Sequence, residues 1–385
     1  MDSETRMKEL FRDYYSSLRY EIPDLLGSRE IGFIPFSGTM IRHRSLRGRE
    51  ELSKFLSNIV PRHMYYSLAY YDHPTKRSMQ EKGWKGAELI FDLDADHLEG
   101  ASTMTYEQIL DEVKKHTLRL IFTFLTGMLG ISEDSIKLYF SGGRGYHVHV
   151  QDDGIYPLDS NSRREISNLV RGEGISLTSI RNVHDTLKRD PSGWFSIIDE
   201  DVADLYEGIR KNSPKSIDLL NSILKKEDQV KKYLLSLDNF VDMEGNTARK
   251  IDVFPSRGIR KYSLMGPRDL EVCEAVAKAT IDRTKCEIDE PVTTDIHRLI
   301  RFPGSLHGKT GLAVTRIALQ DLEKFNPLDS AIPEIFQGKN DTVRINRPLT
   351  ITMKGEKFSL SGEVEVPRYV ALFAVASRAG EFISI

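Results

Sequence analysis

Two aspartates, Asp92 and Asp94, follow the short apolar stretch 89–91. That stretch, bounded by Gly86 and a polar exit, predicts a short buried strand in which alternate side chains share a face. Asp92 and Asp94 would then point the same way, and their mutual repulsion and partial desolvation would disfavour two charges. A Mg²⁺ or Mn²⁺ ion bound by the carboxylate oxygens would relieve this cost. On this stretch alone, a turn or a helix cap at Asp94 and Asp96 is an equally good interpretation.

A glycine-rich loop, Ser-Gly-Gly-Arg-Gly, occupies 141–145 between two predicted strands, 136–140 and 146–150. Glycines let a backbone approach a ligand closely, and consecutive N–H groups can form an anion-binding concavity. The loop is not a Walker motif or a dinucleotide fingerprint, because no Gly-Lys-Ser/Thr follows it and no helix begins after it. Phosphate donors in and beside the loop are Ser141, Arg144 and His147. A plain hairpin turn remains the alternative for the loop in isolation.

A third segment, 294–310, carries one carboxylate and several cationic or hydrogen-bonding groups around a Pro-Gly turn. The carboxylate is Asp295, and the other groups are Arg298, Arg301, His307 and Lys309. Taken alone, the segment is explained at least as well by a helix capped by Thr294 and a solvated basic turn.

Together the three segments indicate phosphoryl transfer. Three carboxylates could hold two metal ions ~3.5–4 Å apart, which would activate an attacking hydroxyl and neutralise a departing pyrophosphate. The cationic groups could hold a triphosphate. Such chemistry needs positioning and charge stabilisation more than covalent catalysis.

The whole chain has 385 residues, 39% hydrophobic and 29% charged, with a net charge of −3. A polyanion site must therefore be a local concentration of Lys and Arg, such as the cluster at 42–49. The two cysteines, Cys273 and Cys286, are too few for a disulfide framework or a four-cysteine zinc site, which favours a reducing cytosolic setting. No apolar run approaches the ~20 residues needed to span a bilayer.

The pattern of helices and strands expected around these groups indicates a mixed α/β fold. We predict a discontinuous catalytic core, 1–156 and 241–385, with a helical subdomain inserted at 157–240, where good strand patterns are absent. The expected helices are 5–18, 50–59, 105–129, 269–281 and 370–378. The expected strands are 30–36, 39–43, 64–71, 136–140, 146–150 and short strands within 349–366.

Three motifs in this order, FDLDADH, FSGGRGYHVHV and HRLIRFPGSLHGKTG, closely resemble the catalytic small subunit of archaeal and eukaryotic replicative DNA primases. The resemblance covers nearly the whole chain, including REIGF and MIRHRSL near the N-terminus, and it implies a mixed α/β core with its site on a sheet. It implies that the catalytic metal carboxylates are Asp92, Asp94 and Asp295. It implies that the triphosphate of the incoming nucleotide is bound by Ser141, Arg144, His147, Arg301 and His307. It places the initiating nucleotide near Glu30 and Arg42.

The same resemblance implies Mg²⁺ or Mn²⁺ as cofactor, nucleoside triphosphates as substrates and single-stranded DNA as template. It also implies a heterodimer with a large primase subunit and a cytoplasmic, nucleoid-associated location. Family members usually carry a Cys/His zinc knuckle soon after the acidic pair. Here 98–119 contains no cysteine and only His116, so we predict no structural zinc.

Other functions fit parts of this pattern. A repair or end-joining polymerase of the same superfamily would share the motifs, although such proteins are often fused to ligase or nuclease domains that find no counterpart here. A two-metal nuclease would need the carboxylates but not the triphosphate pocket. A non-catalytic nucleic-acid-binding subunit would show no metal-dependent chemistry.

Overall fold

The computed structural model describes residues 2–17, 21–97, 100–177, 192–243, 246–258 and 260–383. The chain divides into two compact units. The first unit comprises Met1–Thr126, Gly130–Ser167 and Glu287–Ile385, and the second comprises Gly127–Leu129 and Asn168–Cys286. Of the predicted insertion 157–240, residues 178–191 lie outside the described part of the chain.

The strands and helices have the following bounds. The strands are β1 Ile31–Ile34, β2 Ile41–Arg44, β3 His63–Ser67, β4 Ala69–Tyr71, β5 Trp84–Ala87, β6 Leu89–Leu93, β7 Ile136–Phe140, β8 Tyr146–Val150, β9 Phe240–Met243, β10 Asn246–Arg249, β11 Leu299–Arg301, β12 Thr315–Ile317, β13 Asn340–Met353, β14 Glu356–Pro367 and β15 Gly380–Phe382. The helices are α1 Ser3–Ser17, α2 Arg49–Ile59, α3 Met79–Lys82, α4 Tyr106–Arg119, α5 Ser160–Arg171, α6 Trp194–Arg210, α7 Pro214–Leu224, α8 Glu227–Ser236, α9 Lys250–Val253, α10 Arg260–Ser263, α11 Pro267–Thr284, α12 Glu290–Thr294, α13 Pro327–Ser330 and α14 Arg368–Ala376.

Two antiparallel sheets of the first unit carry the motif residues. One has the strand order β12-β7-β8-β6, and the other has the order β11-β3-β1-β2. In the first sheet Asp92 lies opposite His147, which brings the acidic motif beside the strand that leaves the glycine loop. In the second sheet Arg301 lies opposite Tyr65. These pairings, together with helices on the same unit, confirm the predicted mixed α/β fold.

The predicted insertion 157–240 differs from the second unit at both ends. At its beginning, the buried Arg163 side chain of α5 donates to the backbone carbonyls of Ala87 and Glu88, both at 2.7 Å, so this part of α5 belongs to the first unit. At its end, the second unit continues to Cys286 because α11 supplies part of its core. Core residues of this unit include Ile198, Val202, Tyr206, Val272, Cys273 and Val276.

The predicted bounds of helices and strands are most accurate where the hydrophobic pattern of the segment is clear. Strands 136–140 and 146–150 have the predicted bounds. The predicted helix 105–129 begins at Tyr106 behind a capping box made by Thr105 and Gln108, but from Leu120 to Met128 it is π-helical. The short strands predicted within 349–366 are instead parts of one long hairpin, β13 and β14. Among the described residues, no helix is long and apolar enough to cross a membrane.

Candidate metal and nucleotide site

A pocket of about 170 Å³ brings most of the predicted site residues together. Asp92 and Asp94 line it from the end of β6, as the alternation of strand side chains predicts. The other predicted residues that line it are Ser141, His147, Arg301 and His307. Carboxylates and phosphate donors therefore face one cavity.

The Asp92 carboxyl lies in an unfavourable electrostatic environment. Burial, followed by the charges of Asp94 and Asp289, raises its pKa to about 7, against the opposing effect of Arg301 and Arg298. The imidazole Nε2 of His147 is 3.6 Å from Asp92 Oδ1. Burial lowers the pKa of His147 well below its usual range, so this ring supplies little positive charge at neutral pH. The arrangement would be stabilised by a cation beside the two carboxylates.

Asp289 is a site residue that the sequence reasoning missed. Its backbone N–H donates to the carbonyl oxygen of Asp92 at 3.0 Å, and its charge contributes to the raised pKa of Asp92. It precedes helix α12, so in the sequence it looks like an ordinary N-cap, yet its side chain makes no capping hydrogen bond. The only sequence signal was an acidic residue shortly before the third motif.

Asp295, the predicted third carboxylate, does not line this pocket. It is exposed, and its Oδ1 accepts a hydrogen bond from the backbone N–H of His297 at 2.9 Å. Its role in the structure is that of a local turn cap. Asp289 does not line the pocket either, but its backbone N–H bonds to Asp92 and its charge acts on the Asp92 carboxyl, so it is the better candidate for a metal ligand.

The glycine loop packs closely against the end of β6. A Cβ on Gly145 would collide with the carbonyl oxygen of Leu93, so a side chain here would push the loop away from the aspartates. Gly142 has φ +77°, and a Cβ there would lie 2.8 Å from the Cβ of His307. Within the loop the N–H of Gly143 donates to Ser141 Oγ at 3.2 Å. Glycine is therefore needed for close packing as well as for the turn.

Arg144 stands at the edge of the pocket without lining it. Its Nη2 is 2.5 Å from Asp96 Oδ1, and its Nε is 3.9 Å from Asp94 Oδ1. The side chain is about 39% exposed, so it is free enough of packing to reach a ligand. Here it partly neutralises the acidic motif.

Arg301 and His307 form the opposite, cationic side of the pocket. Arg301 Nη1 lies 2.9 Å from the Nδ1 of His63, and its guanidinium lies 5.3 Å from the ring centre of Tyr65. Burial and the charge of Arg301 lower the pKa of His63 to about 3, so its ring is neutral and accepts this hydrogen bond. Burial likewise lowers the pKa of His307. His63 and Tyr65 were missed because only strand pairing brings them to Arg301.

Known proteins of one family match this chain. The DNA primase small subunit family model matches residues 91–319. The DNA primase small subunit PriS of Picrophilus torridus is 46% identical over 376 residues, which are 97% of this chain and 96% of that protein. PriS of Thermoplasma volcanium is 38% identical over 383 residues, 99% and 98% of the two chains. PriS of Methanococcoides burtonii is 34% identical over 418 residues, 99% and 100% of the two chains.

This chain belongs to the DNA primase small-subunit family. The resemblance drawn from the three motifs is therefore confirmed. The family match includes Asp92, Asp94, the glycine loop and the third motif, so all the residues that line the pocket except Tyr65 lie within the matched region.

Glu30 and Arg42, the remaining predicted residues of this DNA primase family site, lie together but outside the pocket. The buried Glu30 carboxylate accepts from Arg42 Nε at 2.8 Å and from the His43 N–H at 3.1 Å. It also pairs with the fully buried Lys82, which sequence reasoning missed. This cluster extends to Tyr71, whose ring centre is 4.7 Å from Lys82 Nζ.

The donor set of the pocket fits a divalent metal ion of the kind that the DNA primase family implies. Adjacent carboxylates are hard oxygen ligands, and burial together with the charge of Asp94 raises the pKa of Asp92. Among the described residues, no three His, Cys, Asp or Glu side chains converge closely enough to hold a metal ion by themselves. The carboxylates would therefore share the metal with ligand oxygens, as is usual for Mg²⁺ sites that bind phosphates.

Proposed function

We propose that this chain is the catalytic subunit of a DNA primase that forms short primers from nucleoside triphosphates on single-stranded DNA. The observation that carries the proposal is that Asp92 and Asp94 face the same pocket as Ser141, Arg301 and His307. A site for metal-bound phosphoryl transfer needs both sets of groups.

We propose that Asp92 and Asp94 bind the divalent metal together with oxygens of the ligand, and that Asp289, rather than the expected Asp295, is the third carboxylate beside them. When bound, Mg²⁺ or Mn²⁺ would neutralise phosphate charge and lower the pKa of the attacking hydroxyl. The residues fit this role because burial, and then the charges of Asp94 and Asp289, already raise the pKa of Asp92. A cation would return that carboxyl to its charged form.

The phosphate donors orient the incoming nucleotide. Ser141 supplies a hydroxyl, Arg301 a fixed positive charge held by His63, and His307 a neutral donor. Arg144 would exchange its contact with Asp96 for a phosphate oxygen, since both are anionic acceptors. His147 would donate to phosphate from the floor of the pocket, where its Nδ1 is buried without a hydrogen-bond partner.

Glu30 and Arg42 are proposed to contact the initiating nucleotide. In support, Arg42 keeps about 37% of its side chain exposed while Glu30 fixes its guanidinium. A partner large subunit is proposed because the relatives are named small subunits. A cytoplasmic location follows from primer synthesis on chromosomal DNA.

The test is incubation with single-stranded DNA and labelled nucleoside triphosphates, with Mg²⁺ or Mn²⁺, in the presence and absence of the large subunit. We expect new oligonucleotides that begin without a supplied primer, and none from Asp92→Asn. Metal-dependent cleavage of the DNA without synthesis would contradict the proposal and favour a nuclease. Extension of supplied primers without initiation would favour the repair or end-joining polymerase.

A further inference from the structure

A second, basic pocket of about 450 Å³ lies in the first unit, and the assigned activity does not use it. It is lined by residues from the end of β1, the beginning of β3, the third motif and the C-terminal end of α14. Three of the lining residues are cationic: Arg62, Lys309 and Arg378. The lining contains no acidic residue.

The three cations lack the carboxylate partner that some other cations of this unit have. Within the ranges that the structure describes, no ion pair joins Arg62, Lys309 or Arg378 to a carboxylate, and Arg62 Nε donates only to the Gly308 carbonyl at 3.3 Å. By contrast, Arg368 Nε pairs with Asp341 at 2.6 Å. The end of α14 adds roughly half a negative charge at most, which three cations outweigh. The pocket therefore has a positive potential.

Two backbone features hold these cations in place. Arg378 has φ +62°, a left-handed conformation that glycine or asparagine adopts more easily, and its N–H donates to the Val375 carbonyl at 3.0 Å. A strained arginine at such a position suggests that its side chain has a use. At Gly308 an added Cβ would lie 2.7 Å from the carbonyl oxygen of Arg62, so glycine lets the segment that carries Lys309 pack directly against Arg62.

The basic pocket shares a wall with the catalytic pocket. His63 lines the basic pocket, and its Nδ1 is 2.9 Å from Nη1 of Arg301, which lines the catalytic one. The rings of His63 and His307 are 5.3 Å apart, edge to face. A ligand with several phosphate groups could thus occupy positions on either side of this wall.

We propose that the basic pocket binds a phosphate group through Arg62, Lys309 and Arg378. The phosphate belongs either to the backbone of a nucleic-acid strand or to a free polyphosphate. Which of these two sources supplies the phosphate depends on the proposed primase function. The proposal that the pocket binds phosphate does not depend on it. Arginine and lysine around a concave surface suit this ligand, because they combine charge with several donors.

The test measures binding of two probes to metal-free protein: a labelled single-stranded oligodeoxynucleotide by anisotropy, and inorganic pyrophosphate by calorimetry. The variants are Arg378→Asn, in which asparagine tolerates the left-handed backbone, and Lys309→Gln. Arg12→Gln is the matched control, because it removes one exposed charge from α1 outside the pocket. All variants keep the residues that line the catalytic pocket.

If the phosphate belongs to a strand, each pocket variant should weaken oligonucleotide binding several-fold. Each should also reduce the slope of log affinity against log salt by about 0.7, while Arg12→Gln should change neither. If the phosphate belongs to a free polyphosphate, the variants should weaken pyrophosphate binding instead. Either result supports the pocket.

Unchanged binding of both probes in Arg378→Asn and Lys309→Gln would overturn the inference. Equal weakening in Arg12→Gln would also overturn it, since that result would reflect overall charge. Asp92→Asn separates this inference from the proposed function: it should lose synthesis but retain the binding measured here. A protein that makes no primers, yet loses probe affinity in the pocket variants, would refute the function and keep the phosphate site.

Discussion

Glu88 and Asp92 are close together in sequence, at the two ends of the same strand region, yet their carboxylates have opposite environments. The Glu88 side chain is fully buried and pairs with the equally buried Arg29. It also accepts hydrogen bonds from Tyr70 at 3.0 Å and Gln151 at 2.7 Å, and lies 2.8 Å from the Nδ1 of His149. The charge of Arg29 and the contact with His149 hold the pKa of Glu88 well below its usual range despite burial.

At Asp92, burial and the like charges of Asp94 and Asp289 outweigh the effect of Arg301 and Arg298, and the pKa is raised to about 7. A satisfied buried network contributes to a single well-ordered structure, whereas unsatisfied charge costs stability. The comparison therefore distinguishes Glu88, a carboxylate that stabilises the fold, from Asp92, a carboxylate available to a ligand. Substitution of Glu88 should mainly reduce stability, whereas substitution of Asp92 should mainly reduce activity.

The largest effect on activity should come from removing a metal carboxylate. We expect Asp92→Asn, Asp94→Asn or Asp289→Asn to reduce primer synthesis by about 10³-fold or more, some 4 kcal/mol of transition-state stabilisation. The melting temperature should stay the same or rise, because like-charge repulsion is removed. Asp295→Asn and Asp96→Asn are the controls. An Asp92→Asn variant with a tenth of wild-type activity, or an inactive Asp295→Asn, would break the assignment.

The largest effect on stability should come from Glu88→Gln. It leaves the Arg29 guanidinium buried without its counter-charge, which we expect to lower the free energy of unfolding by roughly 3–5 kcal/mol. Denaturant unfolding measures this, with Glu50→Gln as control, because Glu50 forms only an exposed pair with Lys54. A loss below about 1 kcal/mol would mean that the network is not stabilising.

A smaller effect should follow from removing a phosphate donor. Arg301→Ala or Arg144→Ala removes a charge-assisted contact worth roughly 1.5–3 kcal/mol, so the nucleotide KM should rise about ten- to a hundredfold. If the contact is present in both ground and transition states, kcat should change little. His147→Ala should also lower kcat if this ring follows charge on the leaving pyrophosphate. Nucleotide titration of primer synthesis measures both constants. An unchanged KM would show that these residues do not contact the nucleotide.

The pH dependence of stability should distinguish the two carboxylates further. The pKa of Glu88 is lower in the folded than in the unfolded chain, so its contribution is present above the unfolded pKa of about 4.3 and is lost as the pH falls towards the folded value. The difference in unfolding free energy between wild type and Glu88→Gln should therefore begin to shrink as the pH falls below about 4, and it should continue to shrink towards the folded pKa. Parallel curves over the acid range would contradict this account.

The smallest effect should be that of metal removal on folding. Because we predict no structural zinc, purified protein should contain well under one zinc per chain, and chelation should leave the melting temperature unchanged. Metal analysis and thermal unfolding with and without chelator measure this. Stoichiometric zinc, or a large fall in melting temperature, would contradict this prediction and indicate a structural site built from the histidines and the two cysteines.

The amino-acid sequence was sufficient to predict the parts of the site that depend on local spacing. Alternation along β6 predicted that Asp92 and Asp94 share a face, and the glycines located the loop that carries Ser141. That His147 lies opposite Asp92 follows only from the pairing of β6 with β8. The order of the three motifs was sufficient for the family. These features need only the geometry of a strand and a turn, which neighbouring residues specify.

The distant groups near that site could be recognised only in the folded chain. We propose Asp289 rather than Asp295 because a backbone hydrogen bond ties it to Asp92, and His63 reaches Arg301 through the pairing of β3 with β11. The boundary at Cys286 depended on which core α11 packs into. Such contacts join residues far apart in the chain, and neither propensity nor spacing encodes them, because they depend on how the sheets pair and pack.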